Sequence, residues 1–171
     1  MENLNLILPE IFLSLSIFAT LLIGVFFKNS YTLVTNIVYI IIISLLLIIF
    51  NSFNNSGNLF SNSFISNSFT NFFKILILLG TLFVMLITQT FIKEMKINYF
   101  EYPLLILFSV LGMFLMISSN DLMSFYLGLE LQSLALYILA SIDRDNLKSN
   151  ESGIKYFSTD LLIVQKEFEQ I

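Results

Sequence analysis

Residues 118–141 read SSNDLMSFYLGLELQSLALYILAS, and the reading of this stretch turns on one residue, Glu130. It is a lone carboxylate in an otherwise apolar run from about Leu122 to Ala140. An ionised group at the centre of a bilayer costs roughly 2.5–3.5 kcal/mol on insertion scales, so it is normally kept for a reason. Tyr126, Glu130, Ser133, Tyr137 and Ser141 recur at helical spacing. They share one face, while Leu122, Leu127, Leu129, Leu131, Leu134 and Leu136 cover most of the rest. The stretch therefore predicts a membrane helix with a polar stripe. Two readings of that stripe stand: side chains that glue neighbouring helices by hydrogen bonds, or an ion or proton path.

The surrounding chain supports a membrane protein. It has 171 residues, of which 57% are hydrophobic and only 12% charged. That is a polytopic composition. Cys, His and Trp are absent. Disulfides, a thiol nucleophile, a Ser/His/Asp triad and Cys/His ligation of haem or zinc are thereby excluded. Phe, Ile, Leu, Asn and Ser are abundant, as in an A+T-rich genome of an organelle or a reduced bacterium. The opening MENLNLILPE is acidic and resembles neither a secretory signal nor a transit peptide. A mitochondrial version is therefore expected to be made inside the organelle. The net charge of −4 does not suggest a nucleic-acid partner.

About 20 apolar residues cross the hydrocarbon core. Five segments qualify: Leu6–Phe27, Tyr31–Phe50, Phe73–Ile92, Phe100–Ser118 and Leu122–Ser141. All are expected to be helices, because lipid cannot satisfy open backbone groups. The fold class is thus all-α, a membrane helix bundle of about five spans. Residues 51–72, with Asn-Ser-Phe three times over, read as a polar low-complexity loop. Asp121 is placed to cap the fifth helix.

Lys28, Lys93, Lys96, Arg144, Lys148, Lys155 and Lys166 fall on one side of such a bundle. Lys74, at the start of the third span, is counted on the other. This bias predicts an outward N-terminus. It also leaves no Lys or Arg expected inside a span, so Glu130 needs water, a polar side chain or another polypeptide as its partner. Glu10 and Glu101 read as favourable charges near helix N-termini, and Glu151 with Lys155 as a surface pair. Residues 158–171 turn polar and are not expected to span. A short surface helix or disorder both fit, and Leu161–Ile171 is expected to dock on a missing half.

EYPLLILFSVLGMFLMISSNDLMSFYLGLELQSLALYILAS followed by ESGIKYF, residues 101–157, resembles subunit 2 of respiratory NADH:ubiquinone oxidoreductase, complex I. LPEIFL at 8–13 resembles the start of the same subunit. The resemblance implies an antiporter-like membrane-arm subunit of about fourteen helices with inverted repeats, taking part in proton translocation. Residues 1–100 would then be the three N-terminal helices, and 101–157 the start of the antiporter-like repeat.

The resemblance also implies that this subunit carries no cofactor. FMN, iron–sulfur clusters and ubiquinone are expected elsewhere in the complex. The family's glutamate on the fifth helix matches Glu130, which implies a role in the proton pathway. There it pairs with a lysine on the seventh helix and modulates that lysine's proton affinity. The present sequence departs from the family by lacking helices six to fourteen and their lysines; Lys155 is not one of them.

A split gene, with a second polypeptide supplying the rest, is the favoured expectation over a degenerate remnant. Neighbouring complex I membrane-arm subunits and the lipid bilayer are the other expected partners. The expected location is the mitochondrial inner membrane, or the plasma membrane of a bacterium. The competing functions are a structural scaffold and a subunit of a multisubunit sodium/proton antiporter.

Overall fold

In the computed structural model, residues 4–27, 30–54, 56–60, 62–95, 99–143 and 147–169 are described. Six helices and one hairpin follow in order. They are α1 (Leu4–Phe26), α2 (Ser30–Asn51), β1 (Gly57–Leu59), β2 (Phe64–Ser66), α3 (Ser68–Met95), α4 (Glu101–Ser118), α5 (Leu122–Ala140) and α6 (Leu147–Glu169). Five of them are long and apolar enough to cross a membrane: Leu6–Phe26, Tyr31–Asn51, Ser68–Gln89, Glu101–Ser118 and Leu122–Ala140. The all-α membrane bundle expected from hydropathy is what the chain builds.

The core lies among α1 to α4. Leu13 and Ile17 of α1, Val34, Val38, Ile42, Leu45 and Ile49 of α2, and Leu78 of α3 are fully buried against Leu107, Val110 and Phe114 of α4. The opposite faces of α1, α2 and α3 carry exposed Leu, Ile, Val and Phe, as lipid-facing surfaces do. Half of the α4 span is buried, against 17% of the α5 span. Hence α4 is the central element, and α5 is a peripheral helix.

Two glycines set how closely α5 approaches. A Cβ on Gly112 would lie 2.8 Å from the Gly128 carbonyl oxygen, and one on Gly128 would lie 2.9 Å from the Met116 amide nitrogen. Both obstacles are backbone, so neither can swing aside. This is small-residue packing between membrane helices. Gly128→Val is therefore expected to push α5 off α4, at a cost of about 1–3 kcal/mol. Thermal unfolding of the purified assembly would measure it, and an unchanged midpoint would contradict the close approach.

Structure appears where the sequence suggests a featureless loop. In residues 51–72, β1 and β2 pair antiparallel, with Gly57 opposite Ser66 and Leu59 opposite Phe64. Helix α3 then starts at Ser68 rather than at Phe73. Its start is fastened locally: the Asn67 amide donates to Thr70 Oγ1 at 2.8 Å, and that hydroxyl donates back to the Asn67 carbonyl. Such reciprocal bonding at a helix N-terminus satisfies groups the helix leaves open. The hairpin also reaches across the bundle. The Asn120 amide donates to Ser63 O at 2.9 Å and Asn120 Nδ2 to Asn62 O at 2.8 Å. In this way the hairpin is bound to the turn between α4 and α5.

Beyond α5, the backbone is helical from Leu147 through Glu169. Serines of α6 cap the end of α5, with Ser149 Oγ donating to the Ala140 carbonyl at 2.9 Å. The expected docking of Leu161–Ile171 concerns side chains outside the described residues.

Candidate proton-transfer site

Gly128 and Ala135, near one helical face of α5, are buried and mark the side toward α4. Glu130 is two residues past Gly128, which on a 3.6-residue turn places it ~200° round the helix. The polar stripe therefore points away from the four-helix core. Tyr126 is exposed, and Glu130 and Ser133 are half-buried. Further along, the same face meets α6. The Tyr137 ring lies 5.8 Å from that of Phe157 and 6.2 Å from that of Tyr156. A Cβ on Gly153 would lie 2.7 Å from the Ser141 side chain, so α6 sits close on α5 there.

The two serine hydroxyls of the stripe turn back onto their own helix. Ser133 Oγ donates to the Glu130 carbonyl at 3.0 Å, and Ser141 Oγ to the Tyr137 carbonyl at 3.1 Å. Through those bonds these two serines bind no neighbouring helix. Among the described residues the Glu130 carboxylate has no ion-pair partner. Its face is open where further helices could pack.

Other sequence expectations meet different fates. Asp121 caps α5, its carboxylate accepting from the Ser124 amide at 2.8 Å. Hydrogen bonds from Ser124 hold its carboxyl below the usual carboxylate range. Glu151 and Lys155 form an exposed pair at 2.6 Å. Glu101 lies in the first turn of α4.

Two expectations fail. Lys74 is not an outer-loop charge; it lies inside the third span with no exposed surface. Glu10 is not a solvent-side helix-end charge either, because it pairs with Lys74, Oε1 to Nζ, at 2.5 Å. Ser118 Oγ at the end of α4 donates to the same Oε1 at 3.3 Å. The Lys74 ammonium also lies 5.5 Å from the ring centre of Phe64 and 5.8 Å from that of Phe114. Thus α1, α3, α4 and the hairpin meet at one buried ion pair. The available signal was the pair of charges itself, each in the first two turns of an apolar span, the first and third spans running the same way through the bundle.

No group of three or more acidic, His or Cys residues suited to a metal occurs among the described residues. Comparison with known proteins bears on the α5 region first. A family profile described as "NADH:quinone oxidoreductase/Mrp antiporter, TM" matches residues 119–163, the segment that contains Glu130. NADH-quinone oxidoreductase subunit N of Pelagibacter ubique is 54% identical over 92% of this chain and 34% of its own length. That of Bartonella bacilliformis is 47% identical over 91% of this chain and 32% of its own length.

The chain is similar to subunit N of NADH-quinone oxidoreductase over about nine-tenths of its length. It spans about a third of the length of the curated relatives it matches. A chain in the structure of respiratory complex I from Thermus thermophilus with bound aureothin shares its fold. The TM-score is 0.74 at 23% identity, over 90% of this chain and 33% of that one. These relatives carry the same subunit name as the resemblance read from the 101–157 motifs, and the chain shares with them a segment holding five helices long and apolar enough to cross a membrane.

Proposed function

We propose that this chain takes part in proton translocation coupled to NADH oxidation and quinone reduction, as the N-terminal part of an antiporter-like membrane-arm subunit. Residues 1–100 are its three leading helices, and 101–157 open the antiporter-like repeat. The chain performs no redox chemistry itself. Glu130 is the proton-pathway carboxylate. Its partner is a lysine in the part of subunit N that this chain does not cover.

One observation carries this reading. The polar stripe faces away from α4, and Glu130 remains without an ion-pair partner among the described residues. An intramembrane carboxylate in that position calls for a cation or a protonated state. Where the remaining helices come from a second polypeptide, the two pieces meet on this face. Neighbouring membrane-arm subunits complete the assembly.

The Lys and Arg distribution supports an outward N-terminus and hairpin, and the burial of Lys74 removes its one dissenting charge. The relatives are bacterial, which favours the plasma membrane of an A+T-rich bacterium over the mitochondrial inner membrane. Co-purification with NADH-oxidising flavoprotein subunits separates this reading from a sodium/proton antiporter.

Photo-cross-linking tests the interface. A photoreactive residue at Tyr126 or Ser133 is expected to capture the remaining subunit N helices. The same group at Ile40 or Leu47, on the lipid-facing side of α2, is expected to capture none of them. Equal yields at all four positions would remove the proposed docking face.

A further inference from the structure

Helix α3 buries Lys74 completely, where an aliphatic residue would carry no desolvation cost. The ammonium is compensated from two directions: Glu10 Oε1 at 2.5 Å, and the rings of Phe64 and Phe114 at 5.5 and 5.8 Å. The carboxylate is used unevenly. Its Oε1 accepts from Lys74 and from Ser118, whereas its Oε2 is buried with no hydrogen-bond partner among the described residues. A buried carboxylate oxygen without a donor is costly as an acceptor. A proton on that oxygen removes the charge and turns it into a donor.

The aromatic rings make that state tenable. When Glu10 is neutral, the ammonium keeps two π-faces beside it, and cation–π attraction strengthens when desolvated. Of the other charged groups on the elements packed against the pair, Lys93 and Glu94 stand in the last turn of α3, Glu101 is at the opposite end of α4, and Asp121 is exposed in the turn beyond it. Glu101 and Asp121 are not buried beside it, and the charges of α3 are about five turns away along the helix. The hairpin covers the site through the buried Phe64, which bridges to Ser119.

We propose that Glu10 and Lys74 form a proton-binding site at the hairpin end of the bundle, separate from Glu130. On uptake, an O–H bond forms at Glu10 Oε2 while Lys74 Nζ keeps its three protons. The pair passes from net neutral to a single positive charge. Release breaks that O–H bond and restores the ion pair. No other covalent bond changes. The site stands independently of any role for Glu130.

Acid-minus-alkaline infrared difference spectroscopy on the purified membrane assembly containing the chain tests it. The expected result is a carboxylic-acid carbonyl band in the native protein that shifts in heavy water and is lost in Glu10→Gln. The same band is expected to be lost in the E10Q/K74M double variant, which leaves no unpaired buried charge and so guards against misassembly of the single one. Identical difference spectra for the native and double-variant assemblies would overturn the proposal and leave the pair as a fixed clamp. Translocation is not read in this experiment, so a failure of the Glu130 reading would not alter its outcome.

Discussion

Replacing Glu130 by glutamine is expected to slow proton transfer through this subunit by about 10²-fold or more, while the assembly forms normally. The amide keeps the shape and a hydrogen-bonding capacity but loses the ability to ionise. Packing of α5 does not depend on the carboxylate, because α5 is held to α4 through Gly112 and Gly128 on its other side. Proton translocation per NADH oxidised, measured in proteoliposomes alongside the oxidation rate, separates the readings. A fall in translocated protons with an intact assembly supports the proton path. Unchanged translocation would leave Glu130 as a structural group and would favour the scaffold reading.

Breaking the Glu10–Lys74 pair on one side only is expected to cost about 3–5 kcal/mol, because the remaining charge is stranded in a buried site. Lys74→Met strands a carboxylate that is 4% exposed, and Glu10→Gln strands a fully buried ammonium. The E10Q/K74M variant strands neither charge and is expected to recover most of the loss. The two single variants should differ in sign with pH. Acid neutralises a stranded carboxylate and so relieves Lys74→Met, whereas alkali neutralises a stranded ammonium and so relieves Glu10→Gln. Thermal unfolding of the native, single and double variants across pH would measure both effects. Equal loss in the double and single variants would show that packing at these positions, not charge pairing, holds the helices.

The five spans were readable because hydropathy is a local property. Each run from Leu6 to Ala140 either fits the hydrocarbon thickness or does not, and lipid allows its backbone one solution. Asp121 was readable for a similar reason, since its bond to the Ser124 amide joins residues within one turn. The start of α3 was less so. Asn, Ser and Phe around residue 67 carry little periodicity, and the bonding of Asn67 with Thr70 decides the boundary instead. The hairpin escaped notice because its strands are three residues each and depend on contacts with Asn120 and Ser119.

Beside the motifs at 101–157 that carry the resemblance to subunit N, the sequence by itself determined the helical membrane character, the number of spans and the stripe on α5. Those properties follow from spacing within single helices and from local solvation. Which way the stripe faces was decided by the tertiary structure, because Gly112 and Gly128 choose the side of α5 that meets α4. The fate of Glu10 and Lys74 was decided there too. They lie 64 residues apart in the chain, and Ser118 lies 108 from Glu10. A charge near the end of an apolar span is compatible with a solvated helix terminus or with a buried pair. Only the packing of α1, α3, α4 and the hairpin excludes water from that point and leaves each charge the other as its counterion.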